Sequence, residues 1–382
     1  MEAVSTASDK ARSSADWRRN LARRLLRWFD RHARPLPWRA SRDPYRIWLS
    51  EVMLQQTQVA TVVGYYERFV AALPTIADLA AADEQQVLKL WEGLGYYRRA
   101  RQLHAAARQI CQQHDGEFPT DREAVHALPG VGRYTAGAVL SIAFDAREPI
   151  LEANTIRVLS RLLSYRGDPR SAAGQQRLWQ AATDWLPRRR AGAFNQALME
   201  LGSEICTPRD PRCDDCPVAL LCPTRAAGLQ NKIPAPARKP RIEAVHQAAV
   251  VVRRRDGRLL LTQYRRGQRW AGLWDFPRFQ LDGVAEPPVG YLEQQTATLA
   301  GRRVTLGERL LTLRHGVTRF RITLDCYTAQ AGTATRSVAS AERSTRAELA
   351  PIIGWFNPRE LAALPMNTTG RKIARALAPE SS

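Results

Sequence analysis

The 382-residue chain carries 57 Lys and Arg against 37 Asp and Glu, a formal net charge of +20. With 45% hydrophobic and 8% aromatic residues it can bury a core, which excludes a disordered polycation and predicts two to three domains. No apolar run reaches the roughly 18 to 20 residues of a membrane span and no secretory pattern opens the chain, so a soluble, cytoplasmic protein without membrane attachment is expected.

The excess charge is almost all Arg, whose forked guanidinium suits phosphate oxygens, so nucleic acid is the first partner to consider. An Arg-rich proteome is the competing explanation, and motifs must decide between them. Residues 1–16 lack periodicity and are expected to form a disordered tail. From 17 to 223 the pattern is all-α. Asp43-Pro44 opens a segment with Ile47, Val52, Met53, Val59, Val62 and Val63 near a 3.6-residue period, and further helices are expected around 84–92, 98–113, 134–144, 154–165, 175–186 and 193–205. Residues 224–243, with Pro234, Pro236 and Pro240, read as a semi-extended linker. From 244 to 382 the period shortens. Gln247–Arg253, Asp256-Gly257 and Leu259–Thr262 make a hairpin signal, and Leu310–Leu313 with Val317–Tyr327, broken at His315-Gly316, make another, so this part is expected to be α+β.

Cys206, Cys213, Cys216 and Cys222 are separated by six, two and five residues. In a reducing compartment such a cluster asks for a metal, and zinc and a four-iron cluster both accept four thiolates. Cys111 and Cys326 stand apart and are expected to be buried small hydrophobes. Between two helical stretches, Leu128-Pro129-Gly130-Val131-Gly132 lets the backbone turn sharply at Gly130 and Gly132. That turn would aim backbone amides at an anion, for which a DNA phosphate is the natural occupant.

The combination is specific. Leu128–Gly132, then Pro149-Ile150-Leu151-Glu152-Ala153-Asn154, then Asn195–Gly202 and the cysteine cluster resemble the helix-hairpin-helix DNA glycosylase superfamily with an iron-sulfur loop. Leu36-Pro37-Trp38-Arg39, Ser50–Val59 and Gly93-Leu94-Gly95-Tyr96-Tyr97 resemble its MutY-type adenine DNA glycosylases, and Trp270–Pro277 resembles their Nudix-like domain. The resemblance implies a helical glycosylase domain over 17–223 and a Nudix-like 8-oxoguanine-reading domain over 244–382. It further implies a 4Fe-4S cluster on the four cysteines, and a monomer acting on double-stranded DNA with A:8-oxoguanine or A:G mispairs. The chemistry implied is hydrolysis of the adenine N-glycosidic bond, which needs a protonated acid to help the base leave and an anion to stabilise the oxocarbenium-like transition state.

By the same resemblance Glu51 matches the general acid, and with Gln55 four residues later would present one helical face to DNA. Glu152 stands where the family has Asp, with Ala153 in place of Gly and Asn154 as a polar neighbour; the extra methylene and the altered backbone are expected to re-aim the acid. Tyr134 stands where strand-cleaving relatives carry a Schiff-base Lys, so base removal without efficient lyase activity is expected. Gln55 and Tyr96 match duplex wedges, and Trp38, Arg39 and Gln196 match the adenine pocket. In the second domain Leu313-Arg314-His315 replaces the family's Phe-Ser-His, leaving Arg314 and Thr318 as candidate contacts. The paired glutamates of a Nudix hydrolase are missing between Gly283 and Gly301, so a reader is expected, not a pyrophosphatase. A glycosylase of altered base choice and a catalytically weak damaged-DNA binder are the competing readings.

Overall fold

The computed structural model describes residues 14–236, 242–281, 288–317, 319–334 and 352–377. The chain divides into two units, Met1–Ala81 with Gln102–Arg238, and Ala82–Arg101 with Lys239–Ser382. Among the described residues no helix is long and apolar enough to cross a membrane.

The first unit is helical. In chain order, with the helix that falls in the second unit counted in, the helices are α1 (Ala15–His32), α2 (Pro44–Leu54), α3 (Val59–Ala72), α4 (Ile76–Ala81), α5 (Glu84–Leu90), α6 (Arg98–Gln113), α7 (Arg122–His126), α8 (Arg133–Phe144), α9 (Ala153–Leu163), α10 (Ala172–Trp185), α11 (Ala191–Glu204) and α12 (Pro223–Ala226). Helix α1 starts inside the segment read as a tail, because the Ser14 side chain caps it by accepting from the Trp17 N–H at 3.2 Å. Helix α2 begins where Asp43 accepts from the Tyr45 N–H at 2.9 Å and Pro44 fills the first turn. The long segment expected from Asp43 is two helices, since the chain leaves helical geometry at Gln55 and takes a left-handed φ of 58° at Gln56. Residues Tyr45 and Ile47 to Met53 of α2 are all buried, so α2 is a core helix covered on every side. It packs on α8, α8 and α9 each pack on α11, and α11 packs on α1. Around α1, α9, α10 and α11 the core includes Leu21, Leu25, Leu159, Leu178, Phe194 and Leu198.

Two readings of the helical half need correction. The stretch 224–236 is no extended linker. Thr224 and Ile233 are buried, and the Arg161 guanidinium donates to the carbonyls of Ile233 at 2.9 Å, Thr207 at 2.8 Å and Gln230 at 2.7 Å, folding the segment onto α9. Pro240 lies outside the described residues. Residues 82–101, read as part of the helical domain, belong to the second unit: Arg371 pairs with Glu92 at 2.6 Å, the Gln85 amide donates to the Gly272 carbonyl at 2.9 Å, and Trp274 Nε1 donates to Gln85 at 3.2 Å.

The second unit is built on a sheet with the strands β1 (Glu243–Arg253), β2 (Leu259–Gln263), β3 (Trp274–Asp275), β4 (Arg278–Gln280), β5 (Arg302–Val317), β6 (Phe320–Ala334) and β7 (Ile352–Phe356). The main order is β3-β2-β1-β6-β5, with β4 on β1 and β7 on β2; β1 and β6 run parallel and the other pairs antiparallel. The expected hairpin at Asp256-Gly257 is present, with Arg253 opposite Leu259. The break expected at His315-Gly316 is not: β5 runs to Val317, with His315 opposite Ile322, and the chain turns after it. Each sheet face carries its own core. Helix α14 (Thr368–Ala376) contributes Ile373 to one, and α13 (Val289–Ala300) contributes Leu292 to the other. Cys326 is fully buried as expected, whereas Cys111 is only partly so.

Candidate active site

In the first unit a cavity of about 430 Å³ is lined by Trp38, Arg39, Glu51, Gln55, Tyr134, Glu152, Asn154 and Gln196. These eight residues come from five separate stretches of sequence, and helix packing brings them together. Glu51 is 3% exposed because α2 is enclosed on all sides. Burial pushes its carboxyl up to about 7; the nearby Glu152 charge adds to this, while a hydrogen bond from the Tyr134 hydroxyl and the charge of Arg39 oppose it. The Tyr134 hydroxyl is held well above its ordinary range by burial and by the two carboxylates, so it remains a donor to Glu51 Oε2.

Glu152 is the N-cap of α9. Its Oε2 accepts from the Asn154 N–H and its Oε1 from the Thr155 N–H, both at 2.8 Å, while Thr155 Oγ1 accepts from the Glu152 N–H at 2.8 Å. Burial raises its pKa, and the two backbone donors work against the rise; they hold the carboxylate where the dipole of α9 favours negative charge. The longer side chain is thus accommodated as a chelating cap. Ala153 starts the helix without a left-handed φ, so glycine is not required there. Asn154 is fixed by Arg157, whose Nη2 donates to Asn154 Oδ1 at 2.8 Å and to the Gly202 carbonyl at 2.7 Å. At Gly202 the helices approach so closely that an added Cβ would sit 2.7 Å from Asn154 Cβ.

Gln55 differs from its reading. It is the C-cap of α2, not part of its helical face, and its Nε2 donates to Thr135 Oγ1 at 3.3 Å while the side chain still lines the cavity. Trp38 meets the Tyr66 ring edge-on at 5.4 Å, and Arg39 Nη2 donates to Glu200 at 2.9 Å. Glu200 escaped the sequence reading. It is 1% exposed and lines the cavity; burial disfavours its charge, but hydrogen bonds from Arg34 and Arg39 outweigh burial and bring its pKa to about 2. Its signal was its place on α11 four residues after Gln196, which puts both on one face. No lysine is among the lining residues.

The remaining predicted residues lie elsewhere. Gly130, at φ 76°, makes the turn before α8 and its Cα packs against Gln102, whereas Gly132 is an extended N-cap with open space around it. Only Gly130 is conformationally required. Tyr96 belongs to the second unit, 50% exposed at φ 47°, with the Arg99 guanidinium 5.4 Å from its ring. On β5 Arg314 is exposed; both ring nitrogens of His315 are buried, and Thr318 lies outside the described residues. Asp275 of the Trp270–Pro277 motif is fully buried, paired with Arg278 at 2.7 Å and accepting from Tyr264 and Asn367, so this motif holds the sheet to α14.

Cys206, Cys213, Cys216 and Cys222 border one small apolar cavity of about 30 Å³ with Arg161 and Arg225. Arg161 Nη1 lies 3.2 Å from Cys206 Sγ, and no carboxylate lines the space. Among the described residues no three Cys, His or carboxylate groups close on a single-ion site.

Comparison with known proteins agrees with this architecture. Residues 49–183 match the HhH-GPD superfamily of base excision DNA repair proteins, and residues 248–376 match the NUDIX domain. The chain is 45% identical over 230 residues to adenine DNA glycosylase of Rattus norvegicus, covering 58% of this chain and 45% of that protein. It is 35% identical over 257 residues to adenine DNA glycosylase of Buchnera aphidicola (Schizaphis graminum strain), covering 67% of this chain and 74% of that protein. A solved thermostable thymine-DNA glycosylase superposes with a TM-score of 0.51 at 30% identity, covering 55% of this chain and 97% of that one. The match spans 40% to 50% of the length of the rat, mouse and human relatives. A helix-hairpin-helix unit with the carboxyl groups of Glu51, Glu152 and Glu200 lining one cavity, a NUDIX unit after it, and this identity over most of a bacterial relative place the chain in the adenine DNA glycosylase family of base excision repair.

Proposed function

We propose that this chain hydrolyses the N-glycosidic bond of adenine mispaired with 8-oxoguanine or guanine in double-stranded DNA, leaving an abasic site. The observation that carries this reading is the carboxyl pair: Glu51, buried and pushed up to about 7, shares its cavity with Glu152, whose two oxygens are pinned by backbone donors. Glu51 is poised to hold a proton near neutral pH and deliver it to a ring nitrogen of a flipped adenine, which makes the base a better leaving group. Glu152, at the amino end of α9, supplies negative charge beneath the sugar as positive charge develops there. Asn154 orients that edge, Trp38, Arg39 and Gln196 form the base pocket, and Tyr134 donates to Glu51.

With tyrosine at 134 and no lysine lining the cavity, no amine is placed to form an imine with the sugar, which supports a monofunctional glycosylase. Arg314, exposed on β5, is assigned to DNA contact, and Gln55 of the first unit and Tyr96 of the second are each assigned to the opened duplex, a reading supported by the family resemblance. Gly130 and Gly132, before the uncapped amino end of α8, are assigned to a phosphate. The four cysteines fit a 4Fe-4S cluster, because they border one apolar space flanked by guanidinium groups with no carboxylate in its lining. The cluster would order the 206–222 loop and take no part in hydrolysis.

The test is single-turnover cleavage of end-labelled duplexes with adenine opposite 8-oxoguanine, guanine, thymine or cytosine. Strand breaks that appear only after alkali, fastest opposite 8-oxoguanine, are expected. Breaks without alkali, or a borohydride-trapped adduct in good yield, contradict the monofunctional assignment; tight binding without excision contradicts the enzyme.

A further inference from the structure

Helix α1 is far more basic than its structural role requires. Its buried face supplies Leu21, Leu25 and Phe29 to the core, while Arg23, Arg24, Arg27, Arg31, Trp28 and His32 line an open hollow of about 520 Å³ outside the active-site cavity. Like charges at this density repel one another and cost the helix stability unless something negative lies over them. The helix itself does not supply it. Asp16 is turned to Arg19, and Asp30 is held by Arg190 at 2.5 Å. Among the described residues none of the four hollow-lining arginines has a carboxylate partner; Arg23 and Arg24 donate only to the neutral Asn20 amide, at 3.0 and 3.1 Å.

Two features favour a nucleic-acid strand over an acidic protein segment. Arg23, Arg27 and Arg31 recur every four residues, a row of forked donors rising roughly 6 Å per step along the helix, as a regular polyanion needs. The Trp28 and His32 rings stack at 5.8 Å with 14° between their planes, a flat aromatic step beside that row. The row stops there: Arg34 and Arg39, which follow α1 in the chain, are paired with Glu200 in the wall of the active-site cavity and are not part of the row.

We infer that the Arg23–Arg31 face of α1 is a second DNA-contact surface, a phosphate track separate from the excision cavity that adds sequence-independent affinity. This rests on the nucleic-acid reading above but not on catalysis. The test replaces Arg23, Arg27 and Arg31 together with Gln and measures binding of an undamaged duplex by fluorescence anisotropy across a salt series, using the full chain. The slope of log K against log salt should fall by roughly two to three, since each lost phosphate contact removes about 0.9. The triple Arg→Lys variant, which keeps charge and fold, should retain most of the slope, and Arg27→Glu alone should weaken binding. Single-turnover excision by the Gln variant at saturating enzyme should match wild type. An unchanged slope, or a loss seen only with polyglutamate as the binding probe, overturns the inference. Failure of adenine excision in the wild type is a separate result, because the binding assay contains no mispair and no turnover.

Discussion

Replacing Glu51 with Gln should abolish excision and at the same time stabilise the protein at alkaline pH. The carboxyl is 3% exposed and its pKa rises from 4.5 to about 7, chiefly through burial. Between those values the folded state binds more protons than the unfolded state, so stability falls as pH rises through this window and levels off above it. Each pKa unit is worth about 1.4 kcal/mol, which puts the cost of burying the ionised carboxylate near 3 kcal/mol at pH 8. Gln has no charge to bury and its amide oxygen can still accept from Tyr134. Thermal unfolding of both proteins at pH 4 and pH 8 should therefore show the variant more stable by about 3 kcal/mol at pH 8 and little different at pH 4. A variant that is less stable at pH 8, or a difference independent of pH, would refute the claim that Glu51 is a strained, buried acid.

Tyr134→Phe removes the hydrogen bond that holds the Glu51 pKa down, so the alkaline limb of single-turnover excision should move up by about one pH unit even if the peak rate falls; a limb that stays in place or moves down argues against Tyr134 as a donor to the acid. Glu152→Gln should lose most of the excision rate while mispair binding persists, and wild-type excision by this variant would remove Glu152 from the chemistry. Glu152→Asp reports whether the longer cap is itself tuned, because the shorter acid cannot satisfy the Asn154 and Thr155 amides in the same way; an unaltered rate would show that it is not. Glu200→Gln leaves the Arg34 and Arg39 guanidinium groups poorly matched in the cavity wall and should cost about 3 kcal/mol in urea unfolding, a change below about 0.5 kcal/mol being the contrary result.

Much of this was legible in the sequence, and the failures have physical causes. The helices near 98–113, 134–144, 154–165, 175–186 and 193–205 follow from apolar periodicity, whereas the short turns at 122–126 and 223–226 are too brief to show a period, and the cavity residues come from motifs too far apart in sequence for spacing alone to unite. Residues i and i+4 align on a helix, which puts Gln55 on the face of Glu51, yet the helix ends at Leu54 and no Gly or Pro marks the end. The 224–236 stretch has linker composition but is bound by Arg161 on α9 and by Arg170, tertiary contacts that composition does not carry. Residues 82–101 look helical like their neighbours and join the second unit through Glu92 and Gln85, whose partners lie about 190 to 280 residues away. Glu200 is not legible in the sequence, because a single Glu on a helix reads as surface until its pairing with Arg34 and Arg39 is seen.

The most direct test of the account is single-turnover excision of adenine opposite 8-oxoguanine by wild type and Glu51→Gln over a pH series, with binding of the same duplex measured alongside. The account predicts wild-type excision that declines as pH rises through about 7, and a variant that binds the mispair yet releases no adenine. Excision by Glu51→Gln near the wild-type rate would contradict it.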